Sequence, residues 1–115
     1  MQPNPNNQSV EKTKENKKTD PNKKIRVHMW VKGRVQGVGF RSHVEYNALQ
    51  IDVFGWVRNV GDDTVETVAE GTRWQIDAFI DMVKQGPRFS RVDDVKVEYE
   101  EITGVLNGFT VKMNI

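Results

Sequence analysis

Across Gly33-Arg34-Val35-Gln36-Gly37-Val38-Gly39-Phe40-Arg41 the hydrophobic period of this chain changes from two to 3.6. Upstream, Ile25, Val27, Met29 and Val31 alternate with Arg26, His28, Trp30 and Lys32, the pattern of a strand with one buried face. Downstream, Phe40, Val44, Ala48 and Ile51 recur at helical spacing while Ser42, His43, Glu45 and Asn47 fall elsewhere, so an amphipathic helix follows. A strand must therefore pass into a helix through a loop of glycines. Such a loop is built to hold an oxyanion, because glycines let successive backbone N–H groups converge without Cβ interference. The helix start adds unpaired donors and the positive end of the macrodipole. Arg41 brings a permanent charge with a planar fork of donors.

The remaining elements follow from the same periodicities. Val53-Phe54-Gly55-Trp56-Val57-Arg58 and Thr64-Val65-Glu66-Thr67-Val68-Ala69 are rich in β-formers and flank Asn59-Val60-Gly61-Asp62-Asp63, which favours a reversal. They read as a hairpin. Thr72 stands three residues before Gln75, a capping-box spacing, and Ile76, Phe79, Ile80 and Val83 repeat on one helical face until Gly86-Pro87 stops the pattern. Val95, Val97 and Tyr99, then Phe109, Val111 and Met113, alternate with polar residues and give two more strands, the last one short. Two helices cannot cover both faces of so small a sheet. The order βαββαβ therefore predicts a ferredoxin-like α+β sandwich, an antiparallel sheet with both helices on one face.

Within the 115 residues, the first 24 contain only Met1 and Val10 as apolar side chains, so they are expected to form a disordered basic and polar tail. The folded domain is expected over residues 25–115. The tail carries six lysines against Glu11, Glu15 and Asp20; of 17 basic and 16 acidic residues, 11 and 13 remain in the domain. A domain near −2 is not a polyanion binder, so neither nucleic acid nor a membrane surface is an expected partner. No apolar run has the length of a membrane span, and no signal-peptide core is expected. The absence of cysteine rules out disulfide and thiolate chemistry and fits the cytoplasm.

The loop can be tested against other phosphate chemistries. A P-loop needs Lys-Ser or Lys-Thr after its last glycine, where this chain has Phe40-Arg41. A dinucleotide fingerprint would need a third glycine at Ser42 and a parallel strand where a hairpin is predicted. His28 and His43 have no ligand spacing between them, so no metal centre is expected, and each reads as an ordinary histidine. An RNA-recognition sheet would carry basic and aromatic residues on its third strand, but Thr64–Ala69 has no aromatic and carries Glu66. What remains is an anion cradle without an evident nucleophile, metal or general base, and its substrate must be intrinsically reactive. An acyl phosphate qualifies, because its carboxylate leaving group has a conjugate acid of pKa about 4 and departs without a proton donor. Asn59, at the end of an apolar strand, has an amide that can orient a water.

The stretches Gly33–Arg41 and Gly55-Trp56-Val57-Arg58-Asn59 through Val65, with Ala69-Glu70-Gly71, strongly resemble the two signatures of acylphosphatases over residues 25–115. Gly86-Pro87 and Gly108-Phe109 are similar to the family's later landmarks. The resemblance implies a hydrolase that cleaves the carboxyl-phosphate anhydride of small acyl phosphates to a carboxylate and inorganic phosphate by direct water attack. It implies that Gln36, Gly37, Val38, Gly39, Phe40 and Arg41 bind the phosphoryl oxygens, and that Asn59 orients the water. It implies no cofactor, and a monomer is expected. The chain departs from the family at Asp63, where glycine is usual; Gly61 stands two positions earlier, and Asn59, before the turn, is expected to keep its role. The runner-up is a binding module of the same fold that senses a phosphorylated ligand without turnover.

Overall fold

The computed structural model describes residue 20 and residues 22–115; the tail expected over residues 1–24 lies for the most part outside the described residues. Seven elements follow in chain order: β1 (Lys24–Arg34), α1 (Phe40–Ile51), β2 (Phe54–Val60), β3 (Thr64–Thr72), α2 (Arg73–Gln85), β4 (Arg91–Glu100) and β5 (Phe109–Val111). The strands form one sheet in the order β4-β1-β3-β2-β5. β1 runs antiparallel to both β3 and β4, and β2 runs antiparallel to β3.

The sheet is not wholly antiparallel, because β5 pairs parallel with β2, setting Gly55 opposite Phe109 and Val57 opposite Val111. The cause is topological. β4 runs opposite to β2, so an antiparallel β5 would have to repeat the direction of β4 and would need a crossover as long as the sheet. Residues 101–108 instead turn the chain around the sheet's end and deliver β5 to the far edge in the direction of β2.

Both helices pack on one face. Val27, Met29 and Val31 of β1, Val57 of β2, and Val65 and Ala69 of β3 meet Phe40, Val44 and Ala48 of α1 and Ile76, Phe79, Ile80 and Val83 of α2 in one buried cluster. Each large side chain fully buried there contributes roughly 1.5–3 kcal/mol. Asp52 ends α1 in the left-handed region, at φ 71°, and returns its N–H to the Ala48 carbonyl at 2.8 Å. At the start of α2 the predicted capping box forms, with Gln75 Oε1 accepting the Thr72 N–H at 2.8 Å.

Among the described residues no helix covers the opposite face, and a ladder of charges crosses it instead. The two ring nitrogens of His28 lie 2.6 Å from Glu66 Oε2 and 2.6 Å from Glu100 Oε2. Arg58 donates to Glu66 at 2.7 Å, and Arg26 donates to Glu70 at 2.8 Å and to Glu100 at 3.0 Å. Trp30 stacks on His28 with ring centres 3.8 Å apart. Cations shield the indoles, Lys96 over Trp30 and both Lys112 and Arg58 over Trp56.

Candidate active site

The glycine loop leaves β1 just after a register shift between Lys32 and Gly33. Its two ends are fixed in the core, where Val35 and Phe40 are each only 1% exposed. The segment between them has to turn within four residues. Gly37 and Gly39 adopt φ 74° and φ 80°, a region that side-chain-bearing residues reach only at a cost of roughly 1–2 kcal/mol each.

Gly39 also caps α1, and no side chain takes up the amides of the first turn. The His43 N–H, 3.0 Å from the Gly39 carbonyl, closes the first helical turn. Hence the N–H groups of Phe40, Arg41 and Ser42 have no helical acceptor. They stand at the positive end of the helix dipole, a place suited to an anion in the role of the missing cap.

Above them lies a cavity of about 80 Å³ lined by Val35, Gln36, Gly37, Gly39, Phe40, Arg41, Ser42 and Asn59. A cavity needs only about 10–15 Å³ by this measure to admit one water, so there is room for a small tetrahedral oxyanion. Asn59 enters from the other side. It follows Gly55 and Val57 on the helix-facing side of β2, is 6% exposed, and lines the cavity. Thus two elements far apart in sequence converge on one small space.

Of the residues that the sequence assigned to phosphate, Gln36, Gly37, Gly39, Phe40 and Arg41 line the cavity together with Asn59. Val38 is not one of its walls; its side chain packs against the core, as an apolar side chain between two exposed glycines would. The amide nitrogen of the Gln36 side chain turns to the β2–β3 turn, 2.9 Å from the Thr64 carbonyl. Three contributors were missed. Val35 and Ser42 flank the assigned segment, and Ser42 was legible as part of the uncapped first turn. Asn114, whose Oδ1 accepts from Arg41 Nη1 at 2.9 Å, gave no local signal.

The turn after Asn59 absorbs the unusual Asp63. Gly61 takes the left-handed conformation at φ 60°, and Asp63 is not among the residues of positive φ. Asp63 accepts instead, from the Thr64 hydroxyl at 2.8 Å through its carboxylate and from the Gly33 N–H at 3.1 Å through its carbonyl. His43 lies on α1 outside the cavity, and burial pushes its imidazole below the usual range. Among the described residues, no three of His, Cys, Asp and Glu gather in a way that could hold a metal ion.

Fold and cavity together define a class: a small open-faced α+β domain whose one helix start, uncapped and beside an arginine, is suited to a small anion. The family model described as Acylphosphatase matches residues 27–111. An acylphosphatase of Thermococcus kodakarensis is 47% identical over 89 residues, covering 77% of this chain and 97% of that protein. One from Trichormus variabilis is 50% identical over 88 residues, 76% of this chain and 86% of that protein. The crystal structure of acylphosphatase from Bacillus subtilis superimposes with a TM-score of 0.73 at 36% identity, covering 76% of this chain and 98% of that one. The chain belongs to the acylphosphatase family. It is a hydrolase acting on small acyl phosphates, and among its described residues no helix is long and apolar enough to cross a membrane.

Proposed function

We propose that the cradle amides and Arg41 bind the phosphoryl group, that Asn59 aims a water at phosphorus, and that no other chemical group is required. The observation that carries this reading is the single cavity bounded by residues 36, 37 and 39–41 on one side and by Asn59 on the other. The phosphoryl oxygens sit against the free amides of the α1 start and the Arg41 guanidinium, which stabilise charge as the transition state develops. The Asn59 carboxamide both donates and accepts, so it can fix the orientation of a water in line with the leaving oxygen. A bond forms between the water oxygen and phosphorus, and the bond from phosphorus to the acyl oxygen breaks, its electron pair leaving with the carboxylate. The water's proton passes to a phosphoryl oxygen. The Val38 amide, its side chain anchored in the core, completes the loop's set of donors.

The protein acts as a monomer in the cytoplasm in this reading. The glycine loop and Asn59 of one chain bound the cavity by themselves, and a chain without cysteine needs no oxidising compartment. Hydrolysis of benzoyl phosphate in ¹⁸O-enriched water tests the chemistry. The label is expected in inorganic phosphate; label in benzoate would place the attack on carbon and overturn the proposal. Phosphate bound without any release above buffer would instead make the domain a sensor.

A further inference from the structure

Gln36 sits inside the phosphate motif, yet its side chain is engaged elsewhere. Its Nε2 lies 2.9 Å from the Thr64 carbonyl, 3.2 Å from the Gly61 carbonyl and 3.3 Å from the Val60 carbonyl. All three partners are acceptors, which fixes the amide nitrogen, not its oxygen, on that side. Two amide hydrogens serve three carbonyls, with Thr64 holding the shortest contact. A side chain so committed cannot also donate to a bound anion. What Gln36 offers the phosphoryl group is its main-chain N–H alone.

The three carbonyls form the mouth of the β2–β3 turn, and Val60 follows Asn59 directly. The cradle is anchored to the core through Val35 and Phe40, whereas Asn59 is anchored through the pairing of β2 with β3, opposite Val65. These are separate attachments. Two direct hydrogen-bonded ties join them near the cavity, the Gly33 N–H to the Asp63 carbonyl at 3.1 Å and the Gln36 side chain, beside an indirect route from the Arg41 side chain through Asn114 to the segment bonded to the Asn59 carbonyl. Of the two, only the Gln36 side chain originates within the anion-binding loop itself.

We propose that Gln36 is a positioning residue: it sets the distance between the anion cradle and the Asn59 carboxamide, and so acts on turnover and not on phosphate affinity. This inference rests on the reading in which the cradle binds and Asn59 aims the water. The physical basis is the steep dependence of an in-line attack on placement, where a displacement of about 1 Å costs on the order of 10²-fold in rate. Binding of the phosphoryl group depends on groups of the loop and helix alone and tolerates the same displacement.

The test compares Gln36→Met, which keeps length and loses every donor, with Gln36→Asn, which keeps the amide but is one methylene too short to reach. For each, kcat on benzoyl phosphate and the competitive inhibition constant of inorganic phosphate are measured beside the wild type and Asn59→Ala. Both Gln36 variants are expected to lose about 10- to 100-fold in kcat, with phosphate inhibition changed less than about threefold. Retained phosphate inhibition also shows that the variant is folded. Weakened inhibition with kcat intact would make Gln36 a ligand of the anion and overturn the proposal. An equal loss in both, or no loss in either, would overturn it too. Asn59→Ala separates the two levels of inference. If that variant turns over like the wild type, the reading of Asn59 fails; if it collapses while Gln36→Met does not, only the role of Gln36 fails.

Discussion

Among the described residues lining the cavity Arg41 is the one with a permanent charge; the burial of the preceding Phe40 fixes its backbone at the first turn of α1, and Asn114 Oδ1 accepts from its guanidinium at 2.9 Å. In the proposed mechanism several charge-assisted donors reach the same anion from this one residue. Losing a single oxyanion donor elsewhere costs about 10²- to 10³-fold in rate, so Arg41→Ala is expected to lose at least that much. Arg41→Lys should recover little, because an ammonium point charge cannot reproduce the planar fork; initial rates on benzoyl phosphate check both, and near-normal turnover in the lysine variant would refute bidentate recognition. Asn59 calls for a different signature. It lines the cavity from β2 and lies outside the glycine loop, so Asn59→Ala should abolish most turnover while phosphate inhibition stays close to wild type. Parallel losses in kcat and phosphate affinity would move Asn59 into the binding shell.

At the scale of elements, the sheet's uncovered face is sealed by charge. Burial opposes ionisation of Glu66, and hydrogen bonds from His28 and Arg58 outweigh it, holding the carboxyl below the ordinary 4.5. Glu70 is likewise lowered despite burial, by the Thr103 amide and by Arg26, and Glu100 is lowered chiefly by its bond to His28. A carboxyl with a depressed folded value binds fewer protons folded than unfolded. Its stabilisation is therefore complete above the unfolded value and is lost as pH falls through the lower folded one. Urea midpoints should hold above about pH 5 and drop progressively as pH falls below the ordinary carboxylate range. Glu66→Gln should cost about 1–3 kcal/mol at pH 7, and the gap should narrow progressively as acid protonates the wild-type carboxyl; a gap that stays the same across the whole acid titration would deny Glu66 its charged role. This ladder was invisible in the sequence, since alternation marks which residues face away from the core but not which carboxylate meets which cation. The helices and the four long strands were legible, because each carries a sustained period and α2 its capping box. The direction of β5 was not, because alternation over three residues carries no sign of orientation. Cradle and Asn59 could be read from residue type, whereas the partners of the Gln36 side chain are backbone carbonyls, which leave no mark on a sequence.

At the scale of the molecule, the topology brings a residue 73 positions away onto Arg41. Because β5 runs parallel to β2, the segment beyond it continues along β2 toward the cavity: the Lys112 N–H meets the Val57 carbonyl at 2.8 Å and the Ile115 N–H meets the Asn59 carbonyl at 3.0 Å. The Ile115 carbonyl in turn accepts the Gly61 N–H at 2.8 Å. An antiparallel last strand would have carried this segment to the opposite end of the sheet, away from the site. Asn114, lying between these two anchored positions, is thereby held where its Oδ1 receives Arg41 Nη1. Restricting a long side chain before the anion arrives lowers the entropy lost on binding, which for arginine amounts to as much as about 2 kcal/mol. Asn114→Ala leaves the guanidinium free, and if about 1 kcal/mol of that cost returns, phosphate inhibition weakens roughly fivefold. Asn114→Asp keeps an acceptor and should stay closer to wild type in holding Arg41, although its charge disfavours the anion. Inhibition constants measured at fixed ionic strength decide the matter: unchanged or tighter phosphate binding in Asn114→Ala would mean that Asn114 competes with the substrate for Arg41 and does not prepare it.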